Sequence, residues 1–139
     1  VFKAILHAND GSEGAFTALL RALDLAKLAG ARFHMVCVEE LPQFPEMIDE
    51  VKAEKIAADR RYRDVIKRAR AAAEERAVPL EVHLKTGHPV RTIVDLADRL
   101  GVDLLVIGAT GHSTFIDRMI GTRADRIVEL APCTVLIVK

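Results

Sequence analysis

The chain has 139 residues, half of them hydrophobic, and balances 20 basic side chains against 20 acidic ones. This suits one compact domain, residues 1–139, and excludes a disordered chain. The formal net charge of zero removes any global electrostatic case for nucleic acid or an anionic membrane as partner. No apolar run approaches the length that spans a bilayer. The opening VFKAILHA is too short for a signal peptide. Cys37 and Cys133 have neither CxxC nor metal-ligand spacing, so no disulfide framework is indicated. A cytoplasmic location is the expectation. The absence of an initial Met suits a trimmed chain or a piece of a longer protein.

Residues 2–8 predict strand one, with Ile5 and Leu6 inside it and His7 following. Asn9-Asp10-Gly11-Ser12 is turn chemistry. Ser12 suits a helix N-cap, with Glu13 in the first turn. Phe16, Leu19, Leu20, Leu23, Ala26 and Leu28 then recur near helical spacing until Gly30 stops the helix. Residues 32–38 form strand two. Residues 39–45 read as a loop broken by Pro42 and Pro45.

A long helix follows over roughly residues 46–76. Met47, Ile48, Val51, Ala58, Tyr62, Val65, Ile66, Ala69 and Ala73 mark its apolar face, and Ile56 falls off it. Its arginine-rich part has acids interspersed and almost no aromatics, the pattern of a solvated face.

Pro79 ends that helix, and residues 80–85 alternate as strand three. Thr86-Gly87-His88 turns the chain, and Pro89 begins a helix with Val90, Ile93, Val94, Leu96, Ala97 and Leu100 on its buried side. Gly101 ends it. Leu104-Leu105-Val106-Ile107 is a short unbroken apolar run closed by Gly108, which predicts a fully buried strand four. Residues 113–120 suit one short helical turn. A helix then starts after Thr122, with Ala124, Ile127, Val128, Leu130 and Ala131 in its pattern, and ends near Pro132; residues 134–138 are strand five.

Strands alternating with helices predict an α/β fold, a doubly wound five-stranded parallel sheet with helices on both faces. Ligands of such sheets bind beyond the carboxyl ends of the strands, where strand order reverses. Asp10 follows strand one and Gly108 follows strand four. If those strands are neighbours at the reversal, both residues face one crevice.

The stretch after strand four has a phosphate-binding composition. Gly108 and Gly111 follow a strand, and Gly121-Thr122 opens a helix. Glycine admits close backbone approach and positive φ. A helix start offers unpaired N–H groups at its positive dipole end. The same residues equally serve a plain turn and a helix cap. There is no GxxxxGK[ST], no GxGxxG after strand one and no GxSxG, which excludes a P-loop, a dinucleotide fingerprint and a hydrolase elbow. His7, His34 and His83 fall on separate strands. Satisfied strand histidines are the reading preferred over metal ligands, and no metal site is expected.

The spacing Gly108-x2-Gly111-x9-Gly121-Thr122 resembles the signature of the universal stress protein family. Asp10-Gly11-Ser12 after strand one, Gly87-His88-Pro89 and the closing Ala131-Pro132-Cys133-Thr134-Val135-Leu136-Ile137-Val138 resemble the family's opening, third turn and last strand. The resemblance covers the whole chain. It implies strand order 3-2-1-4-5 and an adenine-nucleotide site for ATP, ADP or AMP, with Mg2+ accompanying the phosphates. It places Asp10 on the adenosine part, Val38 against the adenine, and the backbone of Ile107 and Gly108 by the ribose. Gly111, Gly121 and Thr122 fall to the phosphates, with the Arg123 N–H as a further donor. A homodimer through the C-terminal edge strand is also implied. On residue chemistry alone, an Asx turn is the preferred reading of Asp10, and the core that of Val38.

The sequence departs from the family pattern at Ala8, where many members carry proline, at Thr110 and His112, where basic residues are frequent, and at Arg123, where a small or apolar residue is usual. Fewer cations around Gly111 favour AMP or ADP over a triphosphate, unless the Arg123 guanidinium supplies the charge. The first expectation is a non-enzymatic nucleotide-dependent stress-response or signalling module. Its rivals are a slow ATP hydrolase, for which His112 and then Asp117 are the candidate bases, and a ligand-free dimeric interaction module.

Overall fold

The computed structural model describes residues 1–40, 48–109 and 120–139. Among them, five strands and four helices alternate: β1 Ala4–Ala8, α1 Glu13–Ala29, β2 Arg32–Glu39, α2 Ile48–Glu75, β3 Leu80–Thr86, α3 Pro89–Leu100, β4 Leu104–Gly108, α4 Thr122–Leu130 and β5 Thr134–Val138. All strand pairs are parallel, in the order β3-β2-β1-β4-β5. The expected α/β sheet and the adjacency of β1 and β4 are both present.

The helix ends follow local chemistry. The Ser12 side chain accepts a hydrogen bond from the Ala15 N–H and caps α1, and Gly30 closes it in the left-handed conformation. Pro89 opens α3, where its missing N–H would have had no helical partner. One boundary differs from the sequence reading. Glu39 is not the start of a loop but the last residue of β2, and it is buried. Pairing with Thr86 of β3, and the Gly87 N–H donating to its carbonyl at 3.0 Å, extend the strand by that residue. The short helical turn expected within residues 113–120 falls mostly outside the described residues.

Each sheet face carries its own core. Ile5, Leu19, Leu23, Phe33, Met35, Tyr62 and Val106 pack together under α1 and α2. Leu6, Val36, Ile93, Leu96, Leu105, Ile107 and Ile127 pack under α3 and α4. The period-two alternation of the central strands divides their side chains between the two faces. Tyr62, Ala69 and Ala73 of the expected α2 stripe are buried, and Ile56 is exposed. Burial pushes the Cys37 thiol up to about 12, which leaves it an inert core residue.

Side chains clamp β1 to β4 at both ends. The Asp103 carboxylate accepts from the N–H groups of Lys3 and Ala4, which holds it below the usual carboxylate range. At the other end His7 is fully buried, with Nδ1 3.0 Å from the Val106 carbonyl and Nε2 3.2 Å from the Asn9 amide nitrogen. A carbonyl only accepts, so Nδ1 carries the proton and Nε2 accepts from Asn9. Burial pushes the ring down to about 4, against the opposing pull of Val106 and Asp10.

Two predictions follow from this packing. His7 titrates near 6.5 when unfolded and about 4 when folded. Between those values the unfolded chain binds the proton and the native one does not, so stability is full above the upper value and falls as pH drops through the window. The loss reaches roughly 3 kcal/mol by the lower end. Urea unfolding across this range should show that slope, flattened in His7→Gln; an identical slope in both proteins would remove His7 as its source.

The second concerns Gly108, where a Cβ would stand 3.3 Å from the carbonyl carbon and oxygen of Gly14. Backbone does not yield as a flexible side chain does. Gly108→Val should cost about 1–3 kcal/mol in urea melts, and an unchanged midpoint would show that α1 moves freely aside.

Candidate functional site

Strand order reverses at β1, and in a sheet of this kind the ligand crevice lies at the carboxyl ends of the strands there, here β1 and β4. Three short segments converge there. The first is the turn after β1. The Asn9 carboxamide oxygen accepts from the Gly11 N–H at 2.8 Å, and the Asp10 carboxylate accepts from the Ser12 N–H at 3.0 Å. Gly11 has φ +86°, a conformation that other residues adopt only with strain. The Asn9 N–H donates to Val36 of β2. The turn is thus pinned to the strands on both sides of β1, through Val36 directly and through His7 to Val106.

The second segment is the end of β4. Ile107 is buried in the core beneath α3 and α4, and Gly108 lies against the backbone at the start of α1. Gly108 is therefore needed for space, since α1 fills the place a side chain would take. Its φ is not among the positive ones.

The third segment is the start of α4. The Gly121 N–H donates to the Ala109 carbonyl at 2.7 Å, and the Ala109 N–H to Val138 of β5. The helix start is hung directly on the end of β4. Gly121 occupies the N-cap position at φ −65° and ψ 159°, and among the described residues no side chain caps the helix. Thr122 and Arg123 are its first two residues, both exposed. Their N–H groups belong to the first turn, which has no intrahelical acceptors. The cap expected of Thr122 is instead Gly121, and neither that glycine nor Gly108 uses positive φ.

The structure thus brings Asp10, Ile107, Gly108, Gly121, Thr122 and Arg123 to one end of the sheet. Val38 lies near the end of β2, buried in the core beneath α3 and α4, and its carbonyl accepts from the Tyr62 hydroxyl at 3.1 Å. Gly111, Thr110, His112 and Asp117 lie outside the described residues. The Arg123 guanidinium pairs with Glu40 at 2.7 Å, both side chains being more than half exposed. This joins the residue after β2 to α4, elements on opposite sides of β1. Sequence reading left Arg123 between a phosphate and solvent, and nothing in the sequence marks Glu40 as its partner.

Glu39 was also missed. One of its carboxylate oxygens stands 3.4 Å from Lys55 Nζ, and the other meets no donor among the described residues. Burial, with Asp59 beside it, raises its pKa. The apolar run Met35-Val36-Cys37-Val38 before it was the one signal that the strand continues.

Comparison with known proteins agrees with this architecture. A universal stress protein of Thermus aquaticus is 31% identical over 139 residues, the whole of both chains. The universal stress protein structure from Lactobacillus plantarum matches with a TM-score of 0.90 at 25% identity, over 99% of this chain and 97% of that one. A universal stress protein crystallised in complex with cAMP matches with a TM-score of 0.77, also at 25% identity and over 99% and 97% of the two chains. With the family model for universal stress proteins matching residues 2–139, the chain belongs to the universal stress protein family.

Proposed function

We propose that the crevice binds an adenine nucleotide, and that its occupancy is the signal by which this chain acts as a stress-response module. The observation that carries the reading is the start of α4. Among the described residues no side chain caps it, and it is held beside the end of β4 by the Gly121–Ala109 hydrogen bond. A phosphate there meets the N–H groups of Thr122 and Arg123, the Thr122 hydroxyl and the helix dipole. The complex of a family member with cAMP supports an adenine ring with a phosphate as the ligand class.

In this reading Asp10 accepts from the adenosine hydroxyls, Val38 walls the adenine, and the backbone of Ile107 and Gly108 flanks the ribose. Gly111 and Gly121 admit the phosphates. The Arg123 guanidinium is paired with Glu40, so it brings charge to a phosphate only when that pair opens. AMP or ADP is therefore favoured, with Mg2+ needed only as phosphates are added. Residues 1–139 act as one unit.

The same reading includes a homodimer through β5. Its outer edge has no strand beside it among the described residues, and Leu136 on β5 is exposed, as are Val128 and Leu130 on α4. An apolar edge strand of this kind is normally paired or covered.

Three measurements test these points. Denaturing the gently purified protein and analysing what it releases by chromatography and mass should yield an adenine nucleotide. Titrations of the stripped protein with ATP, ADP and AMP should favour the shorter phosphates. Gly121→Val should abolish binding without unfolding the chain, because the backbone at 121 is one that any residue adopts. No release and no titratable binding would leave an interaction module without a nucleotide.

Asp10→Asn keeps the oxygen that accepts from Ser12 and removes the charge. It should weaken nucleotide binding by about 1.5–3 kcal/mol, whereas unaltered binding would confine Asp10 to the turn. In light scattering at micromolar concentration the protein should be dimeric and Leu136→Lys monomeric; a monomeric parent would contradict pairing through β5.

A further inference from the structure

A second cluster lies away from the crevice, toward the amino ends of β2 and β3. Parallel register sets His34 opposite Glu81 and Val36 opposite His83. Phe33 and Met35 of β2, with Leu80 and Val82 of β3, face the core beneath α1 and α2. Strand alternation therefore turns His34, Glu81 and His83 to the other face. There His34 Nδ1 is 3.2 Å from His83 Nε2 and 3.2 Å from Glu81 Oε2, and His83 Nε2 is 3.9 Å from Glu81 Oε1. One ligand atom from each residue lies within 4.8 Å of the others.

These separations are those of a metal site. With bonds of about 2.0–2.1 Å, two ligand atoms on a tetrahedral zinc ion stand roughly 3.3–3.4 Å apart. Hydrogen bonding explains the cluster less well. His34 Nδ1 lies within bonding distance of both a ring nitrogen and a carboxylate oxygen, and one ring proton serves only one of them. The burial gradient also fits. His34 is buried, His83 is half-buried and Glu81 opens to solvent on the edge strand. The site thus has a rigid floor, and a carboxylate that swings in from the rim. Arg32 and Lys85 lie close enough to influence His34 and His83 respectively. They bring positive charge to the rim, which the Glu81 carboxylate offsets.

We propose that His34, Glu81 and His83 form a zinc site, with the fourth position left to water. Two histidines and a carboxylate are a donor set that zinc takes with an open position. Bound metal would cross-link the edge strand β3 to β2, and this site stands independently of the nucleotide reading.

The test uses the whole chain, freed of metal with a chelator. Zn2+ is titrated in competition with a chromophoric chelator, and Co2+ is followed by its visible ligand-field absorption. A single equivalent should bind, raise the thermal midpoint and, with Co2+, give the intense band of a four- or five-coordinate ion. His83→Ala and Glu81→Gln change side chains toward the solvent, so the chain stays folded, as circular dichroism verifies. Each should weaken Zn2+ at least about tenfold, while His88→Ala, outside the cluster, leaves it unchanged. Absence of binding in the parent, or binding that survives His83→Ala at full strength, would overturn the site and leave a hydrogen-bonded histidine pair.

Discussion

β1 pairs with β2 on one side and with β4 on the other, although β4 is far away in sequence. Everything at the crevice depends on that second pairing, and the chain secures it with side chains as well as with the ladder. Asp103 collects the first N–H groups of β1, and His7 reaches Val106 at the other end. Because His7 also accepts from Asn9, and Asn9 accepts from Gly11, one hydrogen-bonded chain runs from β4 into the turn that carries Asp10. The imidazole sets the position of the turn by linking two strands whose ends form the site. A protonated ring could not accept from Asn9, so full burial serves both the fold and the loop.

The glycines of this region do different work. Gly11 supplies a backbone conformation. Gly108 supplies room for α1, which seats its first turn where a side chain would stand. Gly121 does neither in an obvious way. Its backbone is ordinary, and its place is at a helix start that no side chain caps among the described residues. A serine or aspartate there would satisfy one first-turn donor and stabilise α4 by only about a few tenths of a kcal/mol over glycine. Glycine leaves that donor to something else. That missing cap links local sequence to ligand chemistry more directly than the glycine count does.

The alternation of strands with helices, the caps at Ser12 and Gly30 and the apolar faces of α2 and α3 were legible because each is a local pattern. The strand order and the β1–β4 contact came from a topological rule and a family resemblance. The residues that were missed depend on register. Nothing in the sequence sets His34 two residues away from the row of His83, or Arg123 across from Glu40. The three strand histidines look alike in the sequence, yet they part company in the fold. His7 finds its partners in the turn after β1 and on β4, whereas His34 and His83 find each other and a carboxylate. The expectation of satisfied strand histidines describes His7.

Under the proposed function, the Glu40–Arg123 pair bears on how the crevice would be used. Both side chains are more than half exposed, and an ion pair in water is worth roughly 0–1 kcal/mol. It is too weak to lock the end of β2 to α4, and its carboxylate is easily displaced. A phosphate arriving at the α4 N-terminus brings more charge than Glu40 and meets N–H groups that Glu40 does not use. Exchange of the arginine from carboxylate to phosphate would release the residue after β2 from α4. In the proposed nucleotide reading, the pair would connect occupancy of the site to the outer surface of the fold, with only a weak contact to break.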